Sequence, residues 1–321
     1  MLQLVLMPPQ SEWTRSWVSR LEAALPDYVI VAPETDEEAR TVIGDADAAY
    51  GWVPPDLLPL AHKLRWLHSA AIGPPAGYYY PALIEHPLVV TNPRGIYDDH
   101  ISQHILMVVL ALARGLPAYL AAQQQRRWDP DAHPGPALDL ATATALIAGV
   151  GGIGHETARL CAAFGMRVIG VDARWEHPAP YIEQHGPEAL DALLPLADFV
   201  IVTLPHTPQT AGMWHARRFQ RMKATAYFIN VGRGLTTNLD DLVTALEQEV
   251  IAGCALDVFA VEPLPTDHKL WTMSNALLTP HIAGKDAVNL PERQFQILLD
   301  NARRFANGAP LRNLVDKAAW F

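Results

Sequence analysis

The sequence predicts an α/β protein of two domains, each built on a parallel sheet. Two observations carry this expectation. At 321 residues the chain exceeds the size at which one hydrophobic core usually stops growing. Along it, short apolar runs alternate with stretches of helical spacing, in two successive series. The runs are apolar throughout instead of strictly alternating, which is the pattern of strands covered on both faces by helices.

The first series reads LQLVLM from Leu2, YVIVAP from Tyr28, AAYGWV from Ala48, RWLHSA from Arg65 and PLVVTN from Pro87, with helix-compatible stretches such as Ser11 to Leu25 between. A long apolar helix is expected from His100 to Leu120, followed by a polar, Pro-bearing segment from Gln123 to Pro136. The second series then runs TALIAGV from Thr144, MRVIGV from Met166, DFVIVTL from Asp198, AYFINV from Ala226, IAGCALDV from Ile251 and ALLTP from Ala276. A last apolar helix near Pro291 to Asn307 is free to pack back on the first series. The expected domains are therefore 1-97 with 288-321, discontinuous, and 98-287.

Half of the residues are apolar and 18% are charged, below the roughly 25% of an average globular chain, which excludes extensive disorder. Lys and Arg number 24 against 34 Asp and Glu, a net charge of -10, so a nucleic-acid partner would work against the protein's own field. The local run Arg217, Arg218, Arg221, Lys223 reads as the solvated face of one helix. Cys161 and Cys254 lack CxxC spacing and lie in apolar surroundings, so reduced, buried thiols and a cytoplasmic location are expected. The apolar opening from Leu2 to Met7 is too short for a signal h-region, and no later stretch approaches the ~20 apolar residues of a membrane span. Neither secretion nor a membrane partner is expected.

Gly149-Val150-Gly151-Gly152-Ile153-Gly154 follows the run ALIAGV and opens into a segment with apolar residues at helical spacing. GxGxxG alone is a weak signal. Between a strand and a helix, its glycines permit a tight turn and close main-chain approach, so a pyrophosphate can rest on the helix N-terminus. The fold class expected for this half is thus a Rossmann dinucleotide-binding domain. Eighteen residues after Gly154, Asp172 ends the next strand, where a carboxylate can accept from the adenosine ribose hydroxyls. That favours NAD over NADP, although Arg174, two residues on, could meet a ribose phosphate.

Three reactive residues closely follow later strands: Arg233 in FINVGRG, Glu262 in ALDVFAVEPLP and His281 in LLTPHIAG. Ligands gather beyond the carboxyl ends of the strands of an open parallel sheet, so distance in sequence does not keep the three apart. Arg233 offers a planar charged fork for a carboxylate and an adjacent keto oxygen. His281 can exchange a proton near neutral pH, and an ionised Glu262 on its other ring nitrogen would orient it and favour the imidazolium.

With the glycine loop, the segments Leu204 to Thr210 (LPHTPQT), Met222 to Gly234 (MKATAYFINVGRG), Cys254 to Pro265 (CALDVFAVEPLP) and Leu270 to Gly284 (LWTMSNALLTPHIAG) resemble the D-isomer-specific 2-hydroxyacid dehydrogenase family. The resemblance covers most of the chain and implies a Rossmann domain plus a flavodoxin-like α/β substrate domain with a cleft between them. It implies NAD(H)-dependent interconversion of a small 2-keto acid and its D-2-hydroxy acid, with His281 as acid/base, Arg233 binding the substrate and Glu262 supporting His281. It further assigns cofactor contacts to Gly149, Gly151, Gly152, Ile153, Gly154, Asp172, Leu204, Pro205, Thr210, Val231, Arg233, Asp257, His281 and Gly284. Substrate contacts fall on Ile72, Gly73, Arg233 and His281, and a homodimer is the assembly it suggests.

His100 and His104 stand four apart on a helix, but with no further ligand cluster in view a metal pair is not expected. Two departures from the family pattern stand out, of which the first leaves the substrate open. Pro74 and Pro75 remove N-H donors from the substrate loop beside Tyr78, Tyr79 and Tyr80, and Gln103 stands where relatives commonly have an acid. The fold by itself also admits a different class of function, an NADH-sensing, corepressor-like interaction protein with little or no turnover.

Overall fold

A computed structural model of the chain describes residues 1–73, 77–133, 137–175 and 178–319. The chain divides into two compact units, Met1–Ile96 with Val288–Phe321, and Tyr97–Ala287. Each is built on an all-parallel sheet flanked by helices, a Rossmann-type α/β architecture.

The first unit contains β1 (Leu2–Leu6), α1 (Glu12–Ala24), β2 (Tyr28–Val31), α2 (Asp36–Val42), β3 (Ala48–Tyr50), β4 (Trp66–His68), α3 (Pro81–Glu85) and β5 (Val89–Thr91). Its strand order is β2-β1-β3-β4-β5. α1 starts where its first free N-H groups find a partner: Thr14 N-H donates to Ser11 Oγ at 3.1 Å, and Ser11 N-H donates to Thr14 Oγ1 at 2.8 Å.

The second unit opens with α4 (Asp98–Ala113) and α5 (Leu116–Gln124), then β6 (Thr144–Ala148), α6 (Gly152–Ala163), β7 (Arg167–Val171), β8 (Glu183–His185), α7 (Leu190–Leu193), β9 (Phe199–Val202), α8 (Ala216–Phe219), β10 (Tyr227–Asn230), α9 (Leu239–Glu247), β11 (Gly253–Leu256) and β12 (Ala276–Leu278). The strand order is β12-β11-β10-β9-β6-β7-β8. After β6 the chain runs outward on one side through β7, then returns to β9 on the other, so the order reverses beside β6. Such a switch point leaves a crevice at the carboxyl ends of the two central strands. Leu146, Val200 and Phe228 pack into one face with Phe219 and Leu246, whereas their neighbours Ile147, Ile201 and Ile229 pack into the other with Val109 and Ala158. Two covered faces explain why these strands carry no polar alternation.

The final helix, α10 (Leu290–Ala306), belongs to the first unit. Phe295, Leu298, Leu299 and Ala302 form one helical stripe and pack with Leu4, Trp17, Leu21 and Trp66. Tyr28 Oη donates to Ala302 O at 2.7 Å, fixing the helix along the sheet.

Three features differ from the sequence expectations. The helix expected over His100 to Leu120 is two helices, bent by 72°. Gly115 lies in the left-handed region with φ 63°, and a Cβ there would come within 2.2 Å of the His133 ring, so the break needs glycine. The run from Arg217 to Lys223 is not a solvated helix face: α8 ends at Phe219, Arg218 pairs with Asp191 at 2.8 Å, and Lys223 pairs with Asp198 at 2.7 Å. The edge strand β8 has no apolar pattern to announce it. Among the described residues no single helix is long and apolar enough to cross a membrane.

Cys161 and Cys254 are free and wholly buried, and burial pushes both thiols up to about 12. In the native protein at about pH 8 neither should react with a thiol reagent, and both should react on unfolding. Rapid labelling of a folded sample at either position would contradict the packing of α6 and β11.

Candidate active site

The loop from Gly149 to Gly154 leaves β6 at the sheet's switch point. Gly149 has φ 96°, and a Cβ at Gly154 would stand 2.0 Å from Gly149 O, so both glycines are demanded by the turn itself. Gly151 is different: a Cβ there would meet nothing within 4 Å. Nothing in the protein requires that glycine, and a side chain would project into the open space over the start of α6. α6 begins just after this residue, which offers no side-chain cap, and the Asp98 carboxylate lies beside Gly152. A pyrophosphate fits a cradle of this kind, because helix N-H groups and dipole favour an anion.

Asp172 follows β7 and folds back on the loop, accepting from Val150 N-H at 2.5 Å and Arg174 N-H at 2.8 Å. Leu204 follows β9 and walls the loop from the other side, its side chain 3.1 Å from where a Cβ of Gly149 would be. Thr210 Oγ1 donates to Pro205 O at 2.7 Å, which closes the turn from Leu204 to Thr210. Thr203 Oγ1 donates to Gly149 O at 2.5 Å, a tie that the sequence reading did not single out.

Val231 and Arg233 follow β10. Asn230, wholly buried, accepts from Gly232 N-H at 2.9 Å and donates to Thr237 Oγ1 at 3.0 Å, so a strand-end asparagine shapes the turn that carries Arg233. Its role was also missed, although Asn at a strand end is a readable turn signal. Arg233 Nη1 donates to Gly232 O at 2.7 Å. Burial draws the guanidinium below its ordinary value while the charge of Glu262 works against that. The neighbouring Gly234 presses on the turn after β11, since a Cβ there would lie 1.9 Å from the Phe259 carbonyl carbon.

That same turn holds Glu262. Phe259 N-H donates to Glu262 Oε1 at 2.9 Å, and His281 Nδ1 lies 2.7 Å from Glu262 Oε2. Burial works to raise the Glu262 carboxyl, but the hydrogen bonds from His281 and Phe259, with the charges of His281 and Arg233, outweigh it and hold the carboxyl below its ordinary value. An ionised carboxylate only accepts, so the proton in this bond sits on His281 Nδ1 and leaves Nε2 for another partner. The imidazole is half exposed. Arg233, Glu262 and His281 are thus linked through adjoining strand-end turns.

Asp257 ends β11 with its side chain turned inward, 2% exposed. Its Oδ1 accepts from Thr279 Oγ1 at 2.6 Å and Ile282 N-H at 2.9 Å, and its Oδ2 accepts from Ala283 N-H at 2.9 Å. The side chain given to the cofactor by resemblance is therefore engaged by the loop that carries His281. Gly284 lets this loop approach α4: a Cβ would stand 3.3 Å from the Tyr97 ring. Ile72 and Gly73 lie in the first unit, where Ile72 O accepts from Asn92 Nδ2 at 3.3 Å. Pro74 and Pro75 lie outside the described residues.

The family model for D-isomer specific 2-hydroxyacid dehydrogenases, NAD binding domain, matches residues 106–283. The glyoxylate/hydroxypyruvate reductase A of Yersinia enterocolitica is 30% identical over 316 residues, covering 94% of this chain and 95% of its own. A D-isomer specific 2-hydroxyacid dehydrogenase from Xanthobacter autotrophicus, solved with NADPH, superposes with a TM-score of 0.84 at 28% identity over 99% of both chains. The NADPH-dependent glyoxylate/hydroxypyruvate reductase of Sinorhizobium meliloti, solved with NADP, gives 0.82 at 26% identity over 100% of both chains. With that match and full-length relatives behind it, the chain belongs to the D-isomer specific 2-hydroxyacid dehydrogenase family.

Proposed function

We propose that this protein is a 2-keto acid reductase that takes small substrates of the glyoxylate and hydroxypyruvate class to their D-2-hydroxy acids. The observation that carries the reading is the Glu262–His281 pair at 2.7 Å on turns adjoining the one that holds Arg233. A bound nicotinamide dinucleotide supplies the hydride that adds to the keto carbon. Arg233 binds the carboxylate and polarises the keto oxygen. His281 Nε2-H gives the proton to that oxygen as charge develops on it, and takes it back during alcohol oxidation. Glu262, held ionised, stabilises the imidazolium and fixes the ring. The Ile72 and Gly73 amides are offered as further carboxylate donors on the sequence of their loop.

We infer a preference for NAD(H). The support is Asp172, whose carboxylate would repel a 2′-phosphate; Arg174 is the residue that would carry a preference for NADPH. Two relatives bind NADP(H), so the comparison of the two cofactors is a necessary part of the test. Buried free thiols suit the reducing cytoplasm. We also propose a homodimer through the exposed apolar surface of α4 and α5, where Met107 is 51%, Leu116 46% and Leu120 46% exposed.

A panel of small keto acids with NADH and with NADPH should show loss of the reduced-nicotinamide band near ~340 nm, fastest with NADH. Dinucleotide binding with no turnover on any substrate would favour a sensor instead. His281→Ala should lower kcat by about 10²–10⁴ with little change in KM, and Arg233→Ala should raise KM steeply, while both retain NADH binding by calorimetry. Because the Gly151 Cβ position faces open space, Gly151→Val should leave the melting temperature nearly unchanged yet abolish dinucleotide binding. Sedimentation should give about twice the 35.3 kDa chain mass, and Met107→Glu should halve it.

A further inference from the structure

We propose that His104 is a positioning residue for His281, acting through Thr279 and Asp257, and that His100 secures the other end of the same loop. The role given to His281 rests on the proposed reaction. The latch itself is a matter of loop order and is tested separately.

The backbone of His281 stands at φ 52°, in the left-handed region. A side-chain-bearing residue is disfavoured there and persists only where its surroundings impose it. Short bonds impose it here. Thr279 N-H donates to Leu256 O at 2.9 Å, His281 N-H donates to Thr279 O at 3.0 Å, and Asp257 takes the next two amides, those of Ile282 and Ala283. Asp257 also takes the Thr279 hydroxyl, at 2.6 Å.

The direction of these bonds identifies the protons. Asp257 as a carboxylate only accepts, so the single hydroxyl proton of Thr279 points at it. Thr279 Oγ1 then has only lone pairs for His104 Nε2, 3.2 Å away, and His104 must carry its proton on Nε2. Burial, with His100, holds the His104 ring below the ordinary histidine value against the pull of Asp257, which suits a neutral ring with one proton. One turn earlier on α4, His100 Nε2 lies 2.9 Å from Lys285 O, a carbonyl that can only accept. Two imidazoles four residues apart on one helix face therefore grip both ends of the segment Thr279–Lys285. The histidine spacing that in sequence raised a metal pair is used to fasten a loop.

The test compares amide hydrogen exchange at Ile282 and Ala283 in the dinucleotide-free protein for the wild type, His104→Ala, His104→Gln, Thr279→Val and Thr279→Ser. His104→Ala and Thr279→Val should speed exchange at these amides by about tenfold or more, with α4 and β11 still protected. His104→Gln and Thr279→Ser, which keep a donor and a hydroxyl, should restore most of the protection. In turnover, His104→Ala should lower kcat with KM nearly unchanged, and His104→Gln should recover it. Should Thr279→Val fail to fold, His100→Ala provides the second measurement, with faster exchange confined to the Lys285 end of the loop. Wild-type protection in His104→Ala would overturn the latch, whatever His281 does. If exchange rises as expected while His281→Ala keeps full turnover, the latch stands and the acid/base role falls.

Discussion

The hydrogen bond from His281 to Glu262 is the interaction on which the proposed chemistry depends. Histidine in isolation has two equivalent ways to carry its proton and is free to rotate. A carboxylate kept ionised by a backbone amide and neighbouring cations removes both freedoms: it accepts a hydrogen bond from Nδ1-H and leaves Nε2 for another partner. In the proposed reaction the remaining residues of the site serve this arrangement by anchoring the substrate, holding the histidine loop or making room for a dinucleotide.

The parallel sheet makes this economical in sequence. Because all seven strands of the second unit point the same way, the residue just past each strand end arrives at one edge. Gly149 leaves β6, Asp172 β7, Leu204 β9, Arg233 β10, Asp257 β11 and His281 β12, so residues more than a hundred positions apart share a neighbourhood. Glycines then set the spacing between turns: Gly234 admits the Phe259 backbone, and Gly284 admits Tyr97. A small enlargement at either position would act on His281 or Arg233 without touching them.

Much of this was legible in the sequence, for physical reasons that can be named. The central strands announced themselves because burial on both faces forces continuous apolar runs, and the glycine loop was readable because its turn demands glycine at Gly149 and Gly154. Apart from Asn230, what escaped lacked a local signature. β8 is a polar edge strand with exposed or half-buried residues throughout, and Gly115 looked like any helix-interior glycine until His133 filled the space beside it. Arg218 and Lys223 read as solvated charges because their partners Asp191 and Asp198 lie 25 or more positions away. The purpose of His100 and His104 was hidden for the same reason, since a spacing of four fixes a shared face but says nothing of a loop 175 residues further on.

The central claim is tested most directly by the ¹⁵N shifts of the His281 imidazole, read by NMR against a His281→Gln control for assignment. The account predicts that Nδ1 carries a proton donated to Glu262, and that this preference is lost in Glu262→Gln. A His281 ring with no proton on Nδ1 in the wild type, or one indifferent to the loss of the Glu262 charge, would contradict it.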